Sequence, residues 1–226
     1  MNSSLEEITR RADALYNARE HPGNVSASIR LLEGDEYSGE YEIAWRLGRA
    51  LFFLGQEAQS EEEARSYHAR AVRFCQLAAR LQPERVEGHF WLGVNLALLA
   101  RLEKPFGALR HALSARRSLM LAVQLDPAFH AAGPLRVLAR LQHKLSRLLG
   151  GGTSRALANF EGSIRLAPAN TVTRLYFAEM LLESGDKEHA RAELEALLNA
   201  PLDPQWAFES ERDRRIARRM LDEMQR

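Results

Sequence analysis

The sequence predicts an all-α protein, a tetratricopeptide-like α-α superhelix of about four to five helix pairs with a C-terminal capping helix. Three observations predict it: a residue pattern that recurs with unchanged internal spacing, a complementary half-pattern between its copies, and no segment with the strict alternation of a strand.

The recurring pattern is alanine, then a bulky apolar residue four positions on, a small residue three later, leucine three later and proline two later. Its copies are Ala71, Cys75, Ala78, Leu81, Pro83; Ala115, Leu119, Ala122, Leu125, Pro127; and Ala156, Phe160, Ser163, Leu166, Pro168. A looser fourth runs Ala190, Leu194, Leu197 and ends near Pro201. Small residues at this spacing let one helix lie close against its neighbour, and proline ends the helix because it lacks the N–H. The half-pattern, leucine with a small residue after it, appears at Leu47-Gly48 and Leu92-Gly93, with phenylalanine in place of leucine at Phe177-Ala178. After Pro127 it fits only with about two extra residues, which brings Leu138-Ala139 into register.

In order, the elements are an N-terminal helical cap over 1–39, helix pairs over 40–82, 85–126, 129–167 and 170–199, and a capping helix over 206–226, all in one repeat domain spanning 1–226. Individual helices are expected near 4–19, 24–33, 40–55, 60–81, 85–102, 107–125, 130–148, 153–166, 170–184, 187–198 and 208–225. The proline spacings of 44 and 41 residues exceed the roughly 34 of this repeat, so insertions are placed at Lys104–Gly107 and Gly150–Ser154, where proline and glycines mark turns. In the last helix Ile216, Met220 and Met224 share one face, the pattern of a lid over an open core.

Charge and cysteine content bound the function. Net charge is +1, which argues against nucleic acid as a partner, yet residues 1–63 carry 6 basic and 13 acidic side chains while 101–155 carry 10 and 2. The single cysteine, Cys75, forms neither an intrachain disulfide nor a metal site, and its repeat position reads as buried. Seven histidines are scattered without a metal spacing, and no nucleophile-base pair or phosphate loop stands out, so neither metal, cofactor nor catalytic residue is expected. Gly150–Gly152 lack a following lysine and read as a turn capped by Thr153 or Ser154. Glu61, Glu62 and Glu63 read as the start of a helix. The first residues have glutamates where a secretory leader needs a basic start and an apolar run, and no membrane span is written in the chain. A cytoplasmic location is therefore expected, or a periplasmic one if an export segment precedes this sequence.

Several segments carry a family resemblance: VEGHFWLGVNLALLA (86–100), GPLRVLARLQHKL (133–145), GGGTS (150–154) and LYFAEMLLESGDKEHARAELEALL (175–198). Together they resemble the TatT, or T-component, family associated with TRAP-type transporters, over about residues 64–225. A slighter resemblance, carried by AWRLGRALF (44–52), is to the microtubule-dynamics regulator family. The first resemblance implies a ligand cleft or pore, oligomerisation and association with a periplasmic solute-binding protein, in proteins that are lipoproteins.

In this fold the first helix of each pair lines the concave face. The register then gives a binding groove of Trp45, Arg49, Phe52, Phe90, Val94, Asn95, Arg136, Arg140, His143 and Glu179. Arginines beside aromatics suit a carboxylate-bearing protein partner, because the guanidinium offers a planar fork of donors and the ring adds apolar area. The competing reading of the same residues is helix packing and a solvated face. The expected function is a non-catalytic protein-binding scaffold, with a small-ligand module and self-association into a homo-oligomer as open alternatives.

Overall fold

The small residues that recur in the sequence are the ones folding removes from solvent. Ala71, Ala115 and Ala156 each expose 0% of their surface, and the bulky Cys75, Leu119, Phe160 and Leu194 are equally enclosed. The computed structural model describes residues 3–34 and 39–225, and among them it contains α-helices and two 3-10 turns with no strand. Parts of the expected N-terminal cap, at residues 1–2 and 35–38, lie outside the described residues.

The chain divides into two compact units, residues 1–125 and 126–226. In the first, α1 (Ser3–Asn17) packs on α2 (Asn24–Leu32), and both meet α3 (Tyr41–Glu57). Helix α3 pairs with α4 (Glu61–Leu81), α5 (Val86–Leu102) pairs with α6 (Pro105–Leu125), and α3 and α5 also touch. The glutamate run opens α4 as expected: Ser60 Oγ accepts the Glu63 N–H at 3.1 Å and the Glu63 carboxylate accepts the Gln59 N–H at 3.0 Å, so two orphan donors are satisfied. The half-pattern's small residue takes the bulky residue of the paired helix. A Cβ on Gly93 would lie 2.6 Å from Leu119 Cγ, so α5 and α6 approach as closely as they do only because residue 93 has no side chain.

In the second unit α7 (Phe129–Lys144) pairs with α8 (Thr153–Leu166), and α9 (Thr171–Glu183) pairs with α10 (Lys187–Asn199). Ala139 shares a core with Ala156 and Phe160, and Ala178 shares one with Leu194. The final helix, α11 (Ala207–Met224), covers the latter core with Ile216, Met220 and Met224, the face its spacing marked.

Three local expectations are corrected and a fourth is explained. The extra residues near 104–107 do not form a turn: only Glu103 and Lys104 separate α5 from α6, which starts at Pro105 and runs for 21 residues. Proline is accommodated there because the first helical residue has no intrahelical use for an N–H. Helix α7 ends at Lys144 instead of 148, and the chain reaches α8 through a 3-10 turn at Arg147–Leu149, a left-handed Gly150 and Gly152 at a positive φ of 112°. Neither Thr153 nor Ser154 caps α8, whose capping position is Gly152, without a side-chain hydrogen bond. The two-residue shift after Pro127 has a physical source: His130, Ala131 and Ala132 all adopt left-handed backbone angles, with φ of 51°, 52° and 57°. For residues with a Cβ that conformation costs about 1–2 kcal/mol each, so the surroundings must hold the turn in place.

Candidate functional site

In the first unit the expected groove residues sit on α3 and α5. Asp13 of α1 accepts from both Arg46 (2.8 Å) and Arg49 (2.5 Å), and Arg46 also pairs with Glu42 at 2.6 Å. Glu42 accepts the Trp45 indole N–H at 3.0 Å and lies 3.3 Å from Arg85, which pairs with Glu87 at 2.5 Å. Glu87 in turn accepts the Tyr41 hydroxyl at 2.8 Å. The guanidiniums stack on aromatic faces, Arg49 on Tyr16 at 3.9 Å, Arg46 on Trp45 at 4.2 Å and Arg85 on Tyr41 at 4.8 Å. Charge and ring therefore alternate in one ladder across three helices, each cation held by a carboxylate and a π face. Burial and the bond to Glu87 push the Tyr41 phenol far above its ordinary pKa. Desolvation would raise the Glu87 carboxyl, but the bonds from Arg85 and Tyr41 outweigh it and hold Glu87 low.

The remaining groove residues of this unit lie deeper. Phe90 and Val94 are buried, Phe52 is half-buried with its ring 5.3 Å from that of Trp91, and Trp91 lies 4.8 Å from Phe90. Asn95 is wholly enclosed: its amide nitrogen donates to the Trp91 carbonyl at 2.8 Å and the Gly48 carbonyl at 3.4 Å, and its oxygen meets His68 Nδ1 at 2.9 Å.

In the second unit α7 and α9 bring four expected residues to one side. Arg140 lies with its guanidinium 3.8 Å above the Tyr176 ring and 3.0 Å from the Glu179 carboxylate, at ion-pair distance though without hydrogen-bond alignment. His143 Nε2 lies 2.8 Å from Glu183, which Lys144 also engages. The Lys144 and His143 bonds hold the Glu183 carboxyl below its usual value. Arg136 differs from these: only 3% of it is exposed, and Nη1 donates to the Ala131 carbonyl (2.9 Å), Asn170 Oδ1 (3.2 Å) and Thr173 Oγ1 (3.3 Å). Desolvation pulls its pKa down to about 10, which leaves it charged at neutral pH. A buried cation of this kind is normally matched by a carboxylate.

Among the described residues no three His, Cys, Asp or Glu side chains gather as a metal-holding group, and no helix is long and apolar enough to cross a membrane. A hollow of about 200 Å³ opens beside the glycine turn, lined by Arg147, Gly151, Gly152, Ser154 and Arg155.

Comparison with known proteins decides the family. The model of the family described as regulator of microtubule dynamics protein 1-3 matches residues 8–225. The chain belongs to that family. It is also similar in structure to a thermophilic TPR protein of Thermus thermophilus, with a TM-score of 0.68 at 20% identity over 92% of this chain and 97% of that one, which shows the tetratricopeptide fold. No curated protein sequence matches.

For this member of the regulator of microtubule dynamics family, the register places its residues on α3, α5, α7 and α9 but misses several that tie helices together. Asp13, Arg46 and Arg85 lie outside the repeat pattern, and only the tertiary pairing of α1 with α3 brings Asp13 to Arg49. A charge survey along α3 could have raised Arg46, four residues after Glu42. Asn170 and Thr173, the partners of Arg136, carry the plain signal of a helix N-cap and nothing that announces a buried cation.

Proposed function

We propose that this protein is a non-catalytic binding scaffold that holds a protein partner against the first helices of its helix pairs. The observation that carries this reading is the α7–α9 surface. Arg140 is stacked on Tyr176 and balanced by Glu179, so a cation, a ring and an anion are presented in fixed positions on two packed helices. Arginine and tyrosine dominate protein interfaces energetically, and side chains already held by neighbours lose little freedom on binding. The Arg140 side chain is 38% exposed, enough to meet a partner. In the first unit the half-buried Phe52, beside Trp45 and Arg49, offers a comparable edge, with Phe90, Val94 and Asn95 as its foundation.

Arg136 is buried too deeply to be a clean probe of this surface. The test is recovery of partner proteins from native extract with Arg140→Glu, against Leu157→Glu on the α8 surface as control. The expected outcome is a loss of about tenfold with Arg140→Glu, equivalent to roughly 1.4 kcal/mol, and none with Leu157→Glu. Equal recovery by both variants, at unchanged thermal stability, overturns the reading.

The alternative, a small-ligand accessory component similar to the T-component of TRAP-type transporters, calls for an enclosed pocket of about 300–1,000 Å³. The hollow at Arg147 and Arg155 is smaller than that. Native mass spectrometry of gently purified protein that shows a stoichiometric small molecule would reverse the preference.

A further inference from the structure

Three unfavourable features coincide where α7 begins against α9. The first is the left-handed run His130–Ala132, whose carbonyls are put to use: Ala131 accepts from Arg136, and Ala132 accepts from Ser163 Oγ at 3.1 Å. The second is Arg136 itself. Among the described residues it donates only through Nη1 and has no carboxylate within 4.0 Å, while the Nε and Nη2 edge of its fork meets solvent instead of a protein acceptor. The third is Asn170, 6% exposed, whose Nδ2 is buried with no hydrogen-bond partner. Its amide orientation is fixed, because Oδ1 must accept the Thr173 backbone N–H at 3.0 Å to cap α9. Nδ2 branches from the carbon that carries the oxygen held by Arg136 Nη1, which ties the orphaned amide to the guanidinium.

Strain, an unmatched buried charge and an orphaned buried donor are each disfavoured, and their meeting at one point marks a site kept for something other than stability. The chemistry of the donors defines what completes it. A guanidinium edge offers two parallel N–H groups, which match the two oxygens of a carboxylate. Negative charge already acts on Arg136 from Asp213 and Glu209 at longer range, and Asp213 is committed to Thr171 (2.9 Å) and Arg212 (2.8 Å). The guanidinium carries one positive charge, which one carboxylate neutralises and a dianionic phosphate exceeds. The Trp206 ring, 5.5 Å from the guanidinium carbon and 4.7 Å from the His130 ring, supplies an apolar wall.

We propose that Arg136 and Asn170 form a subsite for a single monoanionic carboxylate, walled by Trp206. The subsite stands independently of the scaffold reading, since it concerns the interior end of α7 and not the Arg140 surface. Its carboxylate comes either from a small organic acid or from the C-terminus of a peptide, and the two sources are separable.

The test follows the indole N–H resonances of the full chain by ¹H–¹⁵N spectroscopy, with Trp45 and Trp91 as internal controls. Propionate should shift the Trp206 signal saturably, while propionamide and inorganic phosphate should not. Acetyl-trialanine with a free C-terminus binding at least tenfold tighter than propionate assigns the site to a peptide end, and equal binding assigns it to small acids. The decisive variant is Asn170→Asp, because aspartate keeps the oxygen that caps α9 and places a carboxylate beside Arg136 from within. It should raise the thermal midpoint and weaken propionate binding at least tenfold. The proposal is overturned by absence of a saturable shift with either acid, by propionamide matching propionate, or by Asn170→Asp that lowers the midpoint or binds propionate as the wild type does.

Discussion

The sulfur of Cys75 occupies the space that a side chain on residue 48 would need: a Cβ built on Gly48 would lie 2.1 Å from Cys75 Sγ. Helices α2 and α5 also pack on α3, which limits how far it can back away from α4. Gly48→Ala should therefore destabilise the first unit although alanine is the better helix former. Overpacking of this kind costs about 1–3 kcal/mol. Urea denaturation is the measurement, and a variant as stable as the wild type would show that α3 and α4 separate freely.

Gly162 gives the opposite expectation within a helix of the same fold. It lies inside α8, and a Cβ there would meet Leu135 Cδ1 at 3.5 Å, an ordinary van der Waals contact. Gly162→Ala should stabilise by about 0.4–1 kcal/mol, because the unfolded chain loses freedom that the helix does not need. The same denaturation experiment reads it, and a fall in stability would contradict the open space beside residue 162.

Cys75 should be chemically silent until the first unit opens. It is fully enclosed, and burial pushes the thiol well above its usual range, so almost none is present as the reactive thiolate. Ellman's reagent should find no thiol in the native protein and one per chain in denaturant. Rapid labelling under native conditions would place Cys75 at the surface.

His68 makes stability depend on pH. Burial lowers its pKa below 6.5, and the Asn95 contact only partly opposes this. A base with a depressed folded-state pKa is free of penalty above the unfolded value of 6.5, and loses stability as the pH falls through that value toward the folded one. The protein should be less stable at about pH 5 than at about pH 7.5, on either side of the unfolded value, and His68→Gln should flatten the difference. An unchanged pH dependence in the variant would exonerate His68.

The helix order and the covering face of the last helix were legible in the sequence because small residues and terminators obey fixed spacings that only close helix pairing requires. The fate of individual groove positions was not. A repeat register says which side of a helix a residue occupies, and Phe52 and Asn95 both satisfy it, but depth depends on what the neighbouring helix brings. Asn95 is sealed by His68 and by backbone carbonyls on α3 and α5, and the His68 and Gly48 contacts lie 27 and 47 residues away in sequence. Arg140 and Arg136 are one turn apart on α7, yet one reaches solvent and the other lies beneath Asn170 and Trp206. Left-handed angles at His130, Ala131 and Ala132 had no signal in residue type, because alanine seldom adopts them.

That left-handed turn means the helical hairpins of this protein are not interchangeable modules. A helix advances about 100° per residue, so a two-residue offset turns everything after it by about 200°, and a third hairpin copied from another in the chain would aim Leu138 and Ala139 outward. Duplication or shuffling of this hairpin succeeds only if His130, Ala131 and Ala132 travel with it.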